Sequence, residues 1–178
     1  MSLERLRELV PPPAEPVEPG QPDGWSKVEA ELGTALPDDY KRFTGVYGSG
    51  KFDDFLWLFN PFTEGKDGNL LHEKEAVLAA YVETRQRFPD RLPLPPFPEP
   101  GGVLPLGRSD NGDELYWLTG GEPDGWTVVL LEARATSQEH HRVPITGFLA
   151  ELAGGTLATR VLPPEIVERA AHVFEPFA

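Results

Sequence analysis

The sequence predicts a single α+β domain in which helices flank a largely antiparallel sheet. Segments with apolar residues at helical spacing lie towards both ends of the chain, and β-rich segments follow one another in its second half. Asn111-Gly112 joins two of these β-rich segments, and Asn-Gly between apolar runs is the strongest short-range signal of a β-hairpin. Helices on either side of a run of strands are typical of α+β domains.

Apolar residues that recur every three or four positions predict amphipathic helices in several segments. The segment that begins with Trp25 is followed by Gly33, which stands where a helix C-cap belongs. The next helix begins at Leu36-Pro37, since proline is favoured at a helix start, and Gly48 ends it. The predicted helices cover residues 3–10, 25–32, 36–47, 70–88 and 147–153, and a last one begins at Pro163 and carries Ile166, Val167, Ala170 and Phe174.

Strands are predicted where β-branched and aromatic residues form short runs between turn residues. Residues 55–59 are apolar at every position, which indicates a strand that is buried on both faces, or on one face and an edge. The later strands follow one another directly, so we expect an antiparallel meander. Its members are residues 103–108, 115–119 and 126–132, with 140–144 as an edge strand.

We divide the chain into three parts. Residues 1–22 form an N-terminal helix with a proline-rich extension, residues 23–155 form the α+β domain, and residues 156–178 form a C-terminal helix packed on it. The proline-rich segments 11–22 and 89–100 have no assigned role. The second could be a polyproline ligand or a loop that crosses the sheet edge.

The net charge of the chain limits the kinds of partner that it can bind. Of 178 residues, 29 are acidic and 16 basic, which gives a formal net charge of −13. Such a chain repels phosphate backbones and anionic lipids, so we expect no direct nucleic-acid binding. The excess acid serves either solubility alone or a basic protein partner. Because cysteine, a signal peptide and a membrane-spanning apolar run are all missing from the sequence, we expect a cytoplasmic protein without membrane contact.

The sequence holds no motif that predicts catalysis, a cofactor or a metal. The run from Gly45 to Phe52 has the GxxxxGK spacing of a phosphate-binding loop, but Phe52 replaces the Ser or Thr that would hold magnesium. No serine lies in a GxSxG elbow. His140 and His141 are adjacent, so on a strand they point to opposite faces. We therefore predict no catalytic residue, no metal ligand and no cofactor, and we assign Trp57 and Trp117 to the core.

The residues around the second and third helices resemble a known family pattern. The pattern has an acidic helix that ends in Leu-Gly, then Leu-Pro, an acid, a tyrosine and a Tyr-Gly-x-Gly turn. Here it reads Glu29-Ala30-Glu31-Leu32-Gly33, Leu36-Pro37-Asp38-Asp39-Tyr40 and Tyr47-Gly48-Ser49-Gly50. In these residues the chain resembles the SUKH superfamily, especially its Smi/Knr-like branch, over roughly residues 23–155.

This resemblance implies an α+β domain and a binding role. Bacterial members are mostly immunity proteins that neutralise a cognate toxin, often a nuclease, while a fungal branch acts as scaffolds. The family has no catalytic residues to carry over. Immunity protein is therefore the first hypothesis and a scaffold or adaptor with an unknown partner is the second, while an enzyme of unrecognised type is the third.

Acidic residues in turns are the candidate contacts for a basic toxin, because turn side chains reach outward into solvent. We expect them to lie on one face of the molecule, although scattered solubilising charges are the alternative. Neither the toxin's identity nor the oligomeric state follows from the sequence. The candidate partner-binding residues are Asp53, Asp54, Asp110, Asp113, Glu114, Glu122 and Asp124.

Overall fold

A computed structural model describes residues 2–177 and contains, over that range, six α-helices and one seven-stranded sheet. The helices are α1 (Ser2–Leu9), α2 (Trp25–Leu32), α3 (Asp38–Tyr47), α4 (Leu70–Arg87), α5 (Ile145–Ala153) and α6 (Pro164–Val167). The strands are β1 (Gly50–Phe52), β2 (Leu56–Leu58), β3 (Val103–Ser109), β4 (Glu114–Leu118), β5 (Thr127–Leu131), β6 (Gln138–His141) and β7 (Phe174–Pro176). The predicted α+β class is confirmed.

The sheet is antiparallel throughout, with the order β6-β5-β4-β3-β2-β1-β7. Strands β3 to β6 form the predicted meander, and the Asn111-Gly112 turn joins β3 to β4. Strand β1 was not predicted, because its three residues Gly50-Lys51-Phe52 carry no β-branched residue. It forms because it pairs with β2 on one side and β7 on the other.

Two layers of helices cover the two faces of the sheet. Successive residues of a strand point to opposite faces, so the adjacent residues Tyr116 and Trp117 of β4 lie on opposite faces of the sheet. The Trp117 ring packs edge-on against Tyr40 of α3, with ring centroids 4.8 Å apart. The Tyr116 ring packs against Tyr81 of α4, with centroids 5.5 Å apart. Helix α5 lies on the Trp117 side and α1 packs against α5, so the N-terminal helix belongs to the same core.

The predicted C-terminal helix is wrong over most of its length. Helix α6 is a single turn that ends at Val167, and Phe174 lies on strand β7. The Phe174 ring packs against Tyr47 at 5.2 Å and against Phe43 at 6.0 Å. These aromatic contacts and the pairing with β1 bury Phe174. An extended segment can make the ring contacts and the strand pairing at the same time, which explains why a strand forms here.

The two tryptophans assigned to the core differ. Trp117 is 1% exposed, which confirms its assignment. Trp57 is only half-buried, so its assignment to the core is wrong in part. Strand β2 places Leu56 and Leu58 on the buried face and Trp57 on the other, where α4 does not fully cover it.

We expect Trp117→Ala to lower the free energy of unfolding by roughly 3–5 kcal/mol, because it removes a large aromatic side chain from a close-packed core. Trp57→Ala is the comparison and should cost clearly less, since its side chain is only half-buried. Urea unfolding followed by circular dichroism measures both values. Equal losses for the two variants would contradict the partial exposure of Trp57.

Candidate functional site

The seven predicted acids do not lie on one face. Consecutive hairpins of a meander turn at opposite ends of the sheet. The turns after β1 and β3, which carry Asp53, Asp54 and Asp110, therefore lie at one end, while the β4–β5 connection with Glu122 and Asp124 lies at the other. The Asp124 carboxylate accepts a hydrogen bond of 2.8 Å from the Asp38 backbone N–H of α3.

Asp53 and Asp113 are corrected from surface contacts to interior residues, since each is 4% exposed. The Asp113 carboxylate accepts hydrogen bonds from the Ser109 hydroxyl at 2.7 Å and from the Ala133 N–H at 3.1 Å. It therefore fastens the β3–β4 turn to the β5–β6 turn. A carboxylate engaged in this way is not available to a partner.

Asp53 anchors the C-terminal segment. Its carboxylate contacts His172 Nδ1 at 2.6 Å and accepts a hydrogen bond from the Val173 N–H at 3.0 Å. Arg169 approaches it at 3.2 Å. A histidine–carboxylate pair can serve catalysis, but both side chains are buried here, and the other partners of Asp53 are the Arg169 guanidinium and a backbone amide. The arrangement fits a structural anchor for β7.

Glu114 faces the interior between α4 and the sheet. Burial raises the pKa of its carboxyl group, although a hydrogen bond from the Tyr116 hydroxyl opposes the shift. Burial of Tyr81, which lines the same space, raises the pKa of its hydroxyl group to about 12. Glu114 lines a cavity of about 320 Å³ beneath the β5–β6 turn and is only partly exposed.

The two remaining acids at this end, Asp54 and Asp110, meet around a tryptophan. Asp110 accepts a hydrogen bond of 2.6 Å from Trp57 Nε1, and Lys51 Nζ lies 3.2 Å from Asp54 and 3.6 Å from Asp110. Lys51 Nζ also lies 4.4 Å from the Trp57 ring centre, and the Arg108 guanidinium lies 5.3 Å from it. These five residues, on β1, β2 and β3 and the turns that follow, are called the Trp57 patch.

A groove of about 560 Å³ adjoins the Trp57 patch. Trp57 and Phe177 contribute aromatic surface to it, with ring centroids 5.1 Å apart. Three acidic residues, Glu18, Glu64 and Asp67, also line it, and we call these three its rim. We call this feature the acidic groove; its lining is Val17, Glu18, Trp57, Thr63, Glu64, Asp67 and Phe177.

The walls of the acidic groove are fixed from beneath by Ser49 and Asn60, which are 0% and 2% exposed. The Ser49 N–H donates to the Val17 carbonyl at 2.7 Å, and the Ser49 carbonyl accepts from the Phe177 N–H at 3.1 Å. The Ser49 hydroxyl lies 2.7 Å from the Thr63 hydroxyl. Asn60 Nδ2 donates to Ser49 Oγ at 2.7 Å and lies 3.0 Å from the Glu18 carbonyl oxygen. We call these two residues the polar hub.

Two glycines allow the chain to converge on the polar hub. Gly48 has a φ of +72°, and a Cβ there would lie 2.1 Å from the Val17 carbonyl oxygen. A Cβ at Gly50 would lie 2.3 Å from the Glu175 carbonyl oxygen. Any other residue at either position would push the N-terminal extension or β7 away from the hub, so the Tyr-Gly-Ser-Gly turn shapes the groove.

Sequence reasoning missed most of the acidic groove. Glu18 lies in the proline-rich extension, Glu64 and Asp67 lie in an irregular loop, and Phe177 follows an unpredicted strand. None of these segments has periodicity that could place its side chains. The glycine spacing around Ser49 was the one available signal, because it indicates a close approach of backbones.

Neither a metal site nor a membrane-spanning element is found in the part of the chain that the structure describes. Residues 2–177 contain no group of three histidine, aspartate or glutamate side chains placed to hold a metal ion. No helix within this range is both long and apolar enough to cross a membrane.

Comparison with known proteins identifies one family. A family model described as the SMI1 / KNR4 family (SUKH-1) matches residues 19–145. The match runs from the proline-rich extension through α2 to β6 and includes the polar hub and the Trp57 patch. Searches of curated proteins and of solved structures found no match.

We expect Asp53→Asn to lower the free energy of unfolding by roughly 3 kcal/mol, because it removes the charge of a buried carboxylate that accepts hydrogen bonds and pairs with Arg169. Adjacent Asp54→Asn is the matched control and should change it by less than about 0.5 kcal/mol, since its side chain is 70% exposed. Both residues have positive φ angles, 59° and 50°, which asparagine also tolerates. Urea unfolding measures the two values.

Hydrogen exchange distinguishes loss of the anchor from general destabilisation. In Asp53→Asn the Phe177 amide, which bonds the Ser49 carbonyl, should exchange faster than the amides of β4. Equal protection of Phe177 in the two variants would show that Asp53 does not hold β7.

Glu114→Gln should stabilise the protein increasingly as pH rises. A carboxyl group whose pKa is raised in the folded state favours folding below its ordinary pKa, near 4.5, and loses that contribution as pH rises through the folded-state value. Glutamine does not titrate, so the difference in unfolding free energy between variant and parent should grow as the pH rises above 4.5. Glu122→Gln controls for removal of one charge. A difference that is constant across this range would contradict the assignment.

Proposed function

This chain belongs to the SMI1/KNR4 family (SUKH-1), and on that premise we propose that it is an immunity protein that binds and neutralises a cognate toxin. The observation that carries the proposal is the family match over residues 19–145. Bacterial members of the SUKH superfamily, which the sequence resembles, are mostly immunity proteins. The proposed role is binding and needs no chemistry from this chain.

The charge of the molecule supports a basic toxin as the partner. A net charge of −13 attracts a basic protein over a distance and raises the rate of encounter. If the toxin is a nuclease, its active site is built to hold phosphates, and carboxylates on the inhibitor can occupy the same positive surface. Asp54, Asp110 and the rim of the acidic groove present carboxylates on adjoining surfaces.

The burial of the His172–Asp53 pair supports a structural role for that pair rather than a catalytic one. A substrate could reach His172 and Asp53 only if the C-terminal segment opened, since they are 5% and 4% exposed. The accessible acids sit beside aromatic and basic side chains in the Trp57 patch. Tryptophan and arginine are enriched at the energetic centres of protein–protein interfaces.

The direct test is co-purification with the product of the gene beside the one that encodes this chain. We expect a stable complex, and we expect co-expression to relieve the toxicity of that product. If the neighbouring product neither binds nor is neutralised, the immunity role is wrong. Recovery of a non-toxic partner from the same cells would favour the scaffold alternative.

Charge reversal at the two ends of the sheet locates the contact. We expect Asp54→Lys/Asp110→Lys to slow association with the toxin about tenfold at low salt. Glu122→Lys/Asp124→Lys is the matched control, because it makes the same change in charge and also removes one intramolecular hydrogen bond. Stopped-flow association rates at low and high salt measure the effect. Equal slowing by both pairs would contradict a local site, and a rate independent of salt would contradict electrostatic steering.

A further inference from the structure

The acidic groove has the shape and chemistry to hold one cationic side chain. We propose that it is the specificity pocket of this protein and takes an arginine side chain presented by the toxin. This rests on the proposed function for the identity of the partner, but the chemistry of the pocket can be tested without it.

The aromatic part of the groove provides a surface for stacking. Trp57 and Phe177 line the groove together, with interplanar angle 47°. Gly68 lies against them, and a Cβ there would be 3.1 Å from the Phe177 ring and 3.7 Å from the Trp57 ring. The planar guanidinium of arginine stacks on aromatic rings more favourably than a strongly hydrated ammonium does.

The carboxylates of the groove lack an internal cation. Glu18, Glu64 and Asp67 take part in none of the ion pairs found within residues 2–177. The Glu18 carboxylate accepts one hydrogen bond, of 2.6 Å, from the Glu64 N–H. Three carboxylates around one groove repel each other, and a bound cation would relieve that repulsion.

The two cations that lie beside Trp57 are already engaged by other acids. Lys51 is paired with Asp54 and Asp110, and Arg108 lies 3.3 Å from Glu73. They therefore pack around Trp57 while pairing with acids outside the lining of the groove. Their position 4.4 Å and 5.3 Å from the Trp57 ring centre also shows that the indole surroundings accommodate cations.

The groove is formed before any ligand arrives. The polar hub fixes Val17, Glu18, Thr63 and Phe177 through buried hydrogen bonds. A preformed site avoids the entropy cost of ordering its walls when a ligand binds. The fork of guanidinium donors can then contact two carboxylates of the rim at once, which a lysine ammonium cannot do in the same planar geometry.

The experiment uses the indole N–H signals of the four tryptophans in a nitrogen-15 spectrum of the whole chain. Trp57→Phe identifies the Trp57 signal by its loss. N-acetyl-arginine amide is the probe and N-acetyl-glutamine amide is the neutral control at equal concentration and ionic strength. We expect the arginine probe alone to shift the Trp57 signal along a saturating curve, with a dissociation constant on the order of millimolar.

Two pairs of substitutions test the carboxylates. Glu64→Gln/Asp67→Asn should weaken the arginine probe about fivefold, as expected for the loss of two exposed charge contacts. Asp90→Asn/Glu99→Gln removes the same charge from two exposed residues outside the groove and should leave the affinity unchanged. No saturable shift of Trp57, or equal weakening by both pairs, would overturn the proposal.

The complex with the toxin separates this inference from the immunity role. If Glu64→Gln/Asp67→Asn binds the toxin as tightly as the parent does, the pocket is wrong but the immunity role stands. If the neighbouring product does not bind at all, the immunity role fails while the arginine titration still reports on the pocket. If Glu64→Gln/Asp67→Asn weakens toxin binding and Asp90→Asn/Glu99→Gln does not, the result supports both the pocket and the immunity role.

Discussion

The structure depends on the buried contact between Ser49 and Asn60. The strands and helices bring Ser49 and Asn60 together, but the two polar groups need partners because an unsatisfied polar group in the interior costs free energy. They obtain them from Thr63, the N-terminal extension and the C-terminal tail. One small network thus holds three segments that are distant in sequence, and segments with little periodicity acquire fixed positions.

The alternation of hairpins gives the molecule two chemically different ends. At one end, interior carboxylates fasten turns and the C-terminal strand, and the exposed acids sit beside Trp57. At the other end, Asp124 meets the start of α3 and Glu122 is exposed in the preceding turn. A turn acid is therefore not a surface acid by default, since a carboxylate is a strong acceptor for the free backbone amides that turns expose.

The predictable part of the fold is the part whose signals are local. The glycine cap of α2 and the Asn-Gly hairpin each depend on a few neighbouring residues, and both are confirmed. Strand β7 depends on Phe174 packing against the rings of Phe43 and Tyr47, which are distant in sequence. The helical spacing of the apolar residues in this segment therefore led to a wrong prediction. The acidic groove depends on contacts between residues more than 40 positions apart, such as Glu18 with Asn60, and no local pattern carries that information.

The separation between the polar hub and the rim of the groove has a consequence for how such a protein can diverge. Substitutions at Ser49 or Asn60 would disturb several segments at once, whereas Glu64 and Asp67 are exposed and contribute little to folding. Under the proposed immunity role, the rim residues could therefore be exchanged one at a time, as the toxin changes, without passing through unfolded intermediates. The binding specificity would then change while the fold held by the polar hub stayed the same.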